Sequence, residues 1–197
     1  MKRFSCLFVF LFLPEAVYSD TYFELSVEEG GETYASAEGP ASYSGYDFTR
    51  ESDVNLGGGL KLAIGAENFI GESEGEDAAK ALTYSIGFIR RRLDASNGDA
   101  SFDVFTVDAI FNWLYRNHQV GIGASLHLNP KFESEIDGFS PVNIKFDDAL
   151  GLVLQYRYQL FPGFLLGIRL TEMEYEAGSI ADDASSIGLF FAYAPKR

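Results

Sequence analysis

The sequence predicts an all-β chain: one closed, antiparallel, up-and-down barrel of eight strands that cross a membrane. Three observations lead there. Apolar residues alternate with small or polar ones in segments of about ten, the pattern of strands that present one apolar face. From the fourth segment on, connections alternate between short and long, as they do in membrane-spanning barrels. Beyond residue 19 no apolar run approaches the roughly twenty residues of a spanning helix, so a membrane would have to be crossed by strands.

The segments can be taken in order. The first, Thr21 to Glu28, sets Phe23, Leu25 and Val27 against Glu24, Ser26 and Glu28. The second, Val54 to Gly65, sets Val54, Leu56, Leu60, Leu62 and Ile64 against Asn55, Gly57, Gly59, Lys61 and Ala63. In the third, Leu82, Tyr84, Ile86 and Phe88 oppose Thr83, Ser85, Gly87 and, further on, Arg91. The fourth sets Phe105, Val107, Ala109, Phe111 and Trp113 against Thr106, Asp108 and Asn112, with Val104 and Ile110 spoiling the polar face. The fifth is the cleanest: Val120, Ile122, Ala124, Leu126 and Leu128 against Gln119, Gly121, Gly123, Ser125 and His127. The sixth opposes Leu150, Leu152, Leu154, Tyr156 and Tyr158 to Ala149, Gly151, Val153, Gln155 and Arg157. Phe164, Leu166, Ile168 and Leu170 oppose Gly167, Arg169 and Thr171 in the seventh. Ile187, Leu189, Phe191 and Tyr193 oppose Ser186, Gly188, Phe190 and Ala192 in the eighth.

Residues 115–118 and 159–163 read as short turns, and 29–53, 129–145 and 172–184 as long, largely acidic loops. The stretch 66–80, with Glu72, Glu74, Glu76 and Asp77, falls where a short turn belongs. Either that turn is elaborated or the second strand lies elsewhere.

Ahead of the strands, Lys2 and Arg3 precede an apolar run from Phe4 to Leu13, then Pro14 and the cleavage-like residues Val17 and Ser19. This is the pattern of a cleaved secretory signal, giving a signal peptide over 1–19 and a single barrel domain over 20–197. Cys6, the one cysteine of the chain, would leave with it, so no disulfide can stabilise the rest. The formal net charge is −14, and one unit more negative without Lys2, Arg3 and Glu15. Such a chain repels nucleic acid.

A soluble barrel would also alternate, with its apolar face inward. Against it, the other face is rich in Gly, Ala and Ser, suited to a narrow interior, and its charges Glu24, Lys61, Arg91, Asp108, Arg157 and Arg169 carry both signs. They form an expected lumen network. Aromatics at the segment ends, Trp113, Tyr115, Tyr156, Tyr158, Phe161, Phe164 and Tyr193, suit girdles at the two membrane interfaces.

The last segment alternates up to an aromatic, Tyr193. Here the chain resembles the outer-membrane β-barrel superfamily of Gram-negative bacteria, most closely the small eight-stranded class that includes outer-membrane proteins A and X. The stretches His118 to Pro130 and Phe161 to Tyr175 look like segments of uncharacterised barrels of that kind. The resemblance implies the cell outer membrane as location, its lipid and lipopolysaccharide as surroundings, the barrel-insertion machinery as the reader of the terminal aromatic, and a monomer. Ala194 to Arg197 follow the aromatic, where the family usually stops on it.

Chemistry is sparse. The histidines are His118 and His127. His127 follows Ser125 by two residues and could serve as a base near Glu133 or Glu135, but lipid A deacylases on eight-stranded barrels place histidine before serine on the lipid face. The acidic residues Glu133, Glu135, Asp137, Asp147, Asp148, Asp182 and Asp183 lack the spacing of a calcium loop, and Gly57-Gly58-Gly59 lacks the helix and Lys-Ser/Thr of a phosphate loop. No catalytic residue, metal or cofactor is therefore expected. The expectation is a non-enzymatic envelope barrel with a filled lumen. A small-solute channel, a lipid A-modifying enzyme and a soluble periplasmic ligand-binding barrel are its alternatives.

Overall fold

The computed structural model describes residues 19–43, 46–70, 78–95, 98–136 and 140–194. Of the expected signal peptide, residues 1–18 lie outside this set. In chain order the strands are β1 (Ser19–Gly30), β2 (Thr33–Tyr43), β3 (Tyr46–Asn55), β4 (Gly59–Ile70), β5 (Ala78–Ala95), β6 (Gly98–Tyr115), β7 (His118–Ile136), β8 (Val142–Lys145), β9 (Ala149–Phe161), β10 (Phe164–Glu172), β11 (Glu174–Ala177), β12 (Ile180–Asp183) and β13 (Ser186–Tyr193).

Eight of these strands close on themselves in the order β1, β4, β5, β6, β7, β9, β10, β13, with β13 returning to β1. Every pairing is antiparallel between successive staves, so the barrel is up-and-down, as the alternation predicts. One end carries the tight turns after β6 and β9. At the other end the chain forms the hairpins β2–β3 and β11–β12, the extensions of β5, β6 and β7, and β8. We call these the turn end and the hairpin end.

The alternation divides inside from outside in the sense expected. Leu62, Ile86, Phe105, Leu152, Ile168 and Leu189 are exposed on the outer surface, while Glu24, Lys61, Asp108, Arg157 and Arg169 are buried inside. Ile86 is 62% exposed and Arg157 0%, the reverse of a water-soluble barrel. At the turn end the outer surface carries Trp113, Tyr115, Tyr156, Tyr158, Phe161, Phe164 and Tyr193. The rings of Phe161, Phe164 and Tyr193 pack in sequence in tilted contacts, with centroids 4.8 and 4.7 Å apart.

Several expectations need correction, beginning with the second strand. The second barrel strand is not Val54 to Gly65 but β4, shifted toward the C-terminus; Val54 and Asn55 belong to β3. Gly57 and Gly58 lie in the turn before it instead of mid-strand. The connection after it shrinks to 71–77, outside the described residues. Leu56, placed by parity on the outer face, is buried.

Residues 129–136 and 142–145 are strand, and 174–177 pairs with 180–183 as a hairpin, instead of open loop, because apolar residues among the carboxylates have a core of their own. Leu56, Phe102, Phe132, Phe146, Met173 and Tyr175 are buried together over the hairpin end of the lumen. Full burial of each such side chain contributes about 1.5–3 kcal/mol, which fixes the hairpins to the barrel.

A β-bulge makes this cap possible. Phe105 pairs with Leu128 but Asp103 pairs with Lys131, so Asn129 and Pro130 together face one residue of β6. Asn129 sits at φ 49, a left-handed conformation that asparagine tolerates better than most residues. Its N–H donates to Asp148 Oδ1 at 2.9 Å, and the Pro130 carbonyl accepts from the Phe146 N–H at 3.0 Å. The extra residue inverts the parity of β7: Ser125 and His127 are buried below it, Phe132 and Ser134 above it.

Candidate functional site

The lumen is the chemically distinctive part of the molecule, and its contents follow from the inward parity of each strand. Glu24 on β1 accepts two hydrogen bonds from Arg169 on β10, at 2.6 and 2.8 Å. Asp108 on β6 accepts from Lys61 on β4 at 2.7 Å, from Ser125 on β7 at 2.6 Å and from Ser85 on β5 at 3.3 Å. Arg169 lies 3.8 Å from Asp108 and so joins the two groups.

Toward the turn end, Arg169 donates to Gln155 on β9, Gln155 to Asn112, Asn112 to Thr83, and Thr83 to Glu67 on β4. Glu67 accepts from Arg157 at 2.6 Å. The Tyr22 hydroxyl closes the circuit by donating to Glu24, with Arg157 over its ring at 5.7 Å. On β13, the Phe190 ring stacks beneath Arg169 at 5.0 Å. All eight barrel strands thus contribute to one connected network.

Three cations, Lys61, Arg157 and Arg169, pair with three carboxylates, Glu24, Glu67 and Asp108, while the buried Glu28 accepts from Ser26. Burial costs several kcal/mol per ion unless each is paired and hydrogen-bonded. Each of these six charged groups has a partner of opposite sign within hydrogen-bond distance.

Glycines make room for these side chains. A Cβ on Gly121 would sit 2.3 Å from Asn112 Oδ1 and 2.9 Å from Gln155 Cγ, and one on Gly167 would fall 2.4 Å from the Phe190 ring. The small residues of the inward face are therefore the complement of the large ones.

Of the six charged residues expected in the lumen, Glu24, Lys61, Asp108, Arg157 and Arg169 lie in the network. Arg91 does not. It lies at the rim of the hairpin end, 2.7 Å from Glu29, because the lumen ends below it where the apolar cap begins. Sequence reasoning missed Glu67, Tyr22, Asn112 and Gln155 as network members. Carrying the parity of Lys61 one step of alternation past Gly65 would have reached Glu67.

The candidate base and nucleophile are not brought together. Ser125 donates to Asp108, whereas the His127 Nδ1 bonds the Tyr175 hydroxyl of the cap, not Glu133 or Glu135. His118 lies on the outer surface at the turn end with its Nδ1 2.6 Å from the Tyr156 hydroxyl. Glu133 accepts from Asn143 and pairs with Lys131; Asp148 and Asp183 accept backbone N–H groups. Asp137 lies outside the described residues. Among the described residues no group of three or more His, Cys, Asp or Glu is placed to hold a metal.

A closed eight-stranded barrel, apolar outside and charged inside, has the architecture of the small outer-membrane β-barrels. Solved structures similar to this chain include Ail, the attachment invasion locus protein of Yersinia pestis, at 13% identity and a TM-score of 0.47, covering 89% of this chain and 96% of that one. Another is Neisserial surface protein A, at 13% identity and a TM-score of 0.45, covering 91% and 99%. A further Ail structure holds the heparin analogue sucrose octasulfate, with 12% identity and a TM-score of 0.46. No family model and no curated protein matches the chain.

Proposed function

We propose that this chain is an integral protein of the bacterial outer membrane whose lumen is closed by its own side chains, and that it works through structure and surface contact, not as a channel or an enzyme. The single observation that carries this is the network reaching all eight strands, roofed by the apolar cap. A continuous aqueous path would have to break paired, fully buried charges such as Arg157 and Glu67. The signal-like N-terminus supports export, and the apolar belt supports lipid as the surrounding medium, with the hairpin end facing outward and Tyr193 presented to the insertion machinery.

The test combines fractionation with conductance. The protein is expected in the outer-membrane fraction, with gel migration that shifts on boiling, and with conductance at background level in planar bilayers. Stable, stepwise conductance would replace the closed barrel by the small-solute channel. Recovery as a soluble periplasmic protein would defeat the membrane reading.

A further inference from the structure

We propose that the apolar cap is an acid-released lid: neutral His127 holds the β11–β12 hairpin over the mouth of the lumen, and uptake of a proton by its imidazole lets that hairpin go. The inference rests on the closed-barrel reading above and adds a control to the cap that roofs it.

β11 and β12 pair with each other and with no barrel strand, so the hairpin lies over the barrel without belonging to its wall. Tyr175 anchors it. The ring is fully buried and lies against Phe102, Phe146 and His127, with centroids 5.8, 5.5 and 5.9 Å away. The neighbouring Glu176 carbonyl accepts from the Asp147 N–H at 2.8 Å. From the lid into the lumen runs the bond between the Tyr175 hydroxyl and His127 Nδ1, at 2.5 Å. Burial, with Glu28 of β1 acting from across the mouth, keeps that hydroxyl protonated. It therefore donates, and Nδ1 accepts as a bare ring nitrogen.

The surroundings of His127 suit a neutral ring. Lys61 of β4, Arg169 of β10 and Asp108 of β6 act on it, two cations against one carboxylate. Asp108 already accepts from Lys61, Ser85 and Ser125. The cross-strand neighbours of His127 are Thr106 and Ala149, which carry no charge, and Asp148 beyond Ala149 accepts from the Asn129 N–H. An imidazolium here would be a third cation with no free carboxylate, and its Nδ1 proton would displace the hydrogen that Tyr175 donates. Such a buried charge is strongly disfavoured, so the proton is better held with the lid open and the ring in water. Opening uncovers the hairpin end of the lumen, while Arg157 and Glu67 toward the turn end stay paired.

With the ring neutral under the closed lid and titrating at its ordinary value of about 6.5 once the lid opens, the open population is steady above that value and grows about tenfold per pH unit below it. The protein, folded in lipid nanodiscs, is followed by amide hydrogen exchange between about pH 7.5 and about pH 5.5, each rate divided by that of the unstructured chain at the same pH. This window lies above the ordinary carboxylate range of about 4. Protection of β11 and β12 is expected to fall about tenfold across it, while that of Leu82 to Ile86 in the barrel wall stays constant. His127→Gln keeps an acceptor for Tyr175 and takes up no proton, so its lid should be equally protected throughout.

Protection of the hairpin that does not change with pH, or the same fall in His127→Gln, would overturn the lid. If that variant does not fold, the imidazole carbon resonance of His127 in the unaltered protein decides: it must titrate together with the loss of protection, and titration under an undisturbed lid refutes the proposal. Stable conductance at about pH 7.5 would refute the closed barrel on which the lid rests, whereas a silent bilayer with a pH-independent hairpin refutes the lid alone.

Discussion

Arg169 grips Glu24 through two hydrogen bonds of 2.6 and 2.8 Å, linking β10 to β1 across the intervening β13 inside the barrel. Both side chains are buried, so removal of Arg169 leaves Glu24 without the cation that it hydrogen-bonds, whereas removal of Glu24 leaves Arg169 with Asp108 at 3.8 Å. Arg169→Met should destabilise the barrel by about 3–5 kcal/mol, the usual cost of breaking a buried pair. Combining it with Glu24→Met should recover part of that loss. Urea unfolding in detergent or lipid vesicles measures both, and a single variant as stable as the parent would mean that the pair is solvated.

Gly121 tests how tightly the lumen is filled. Its missing side chain is the space used by Asn112 and Gln155, so Gly121→Val forces both aside. We expect a loss of about 1–3 kcal/mol, typical of an overfilled interior, seen as a lower unfolding midpoint. A neutral effect would indicate unfilled volume in the lumen.

Tyr175 gives the cap a pH dependence. Burial, with the negative charge of Glu28 nearby, raises its hydroxyl pKa well above the ordinary tyrosine value. A phenol with a raised folded pKa contributes stability that is complete below its unfolded pKa of about 10 and is lost as pH rises toward the folded value. Spectrophotometric titration should therefore show Tyr175 still protonated when exposed tyrosines ionise. Tyr175→Phe should flatten the alkaline loss of stability while losing about 1 kcal/mol for the bond to His127.

Period-two alternation sufficed to divide lipid-facing from inward-facing residues on the barrel strands, because one parity error would turn a whole strand inside out. Where alternation is interrupted, sequence reasoning misplaced the chain. The three glycines at 57–59 hide the start of β4, which displaced its end and concealed Glu67. The bulge at Asn129 and Pro130 inverts parity without any change in composition, so Phe132 looked like part of a solvated acidic loop. The cap is assembled from Leu56, Phe102, Phe146 and Tyr175, each isolated in sequence among polar neighbours. No local pattern announces such long-range packing. The lumen charges were legible as inward residues, but not their pairing, which depends on the stagger between strands.

The most direct test of the central claim, an apolar outer surface matched to lipid, is the free energy of folding of Leu62→Arg into phospholipid bilayers. Leu62 is 57% exposed on the outer face, and in water such a surface change would cost within about 0.5 kcal/mol. If this face lies in the bilayer, the substitution should cost about 2–4 kcal/mol near the midplane, whereas a change within about 0.5 kcal/mol would contradict the account.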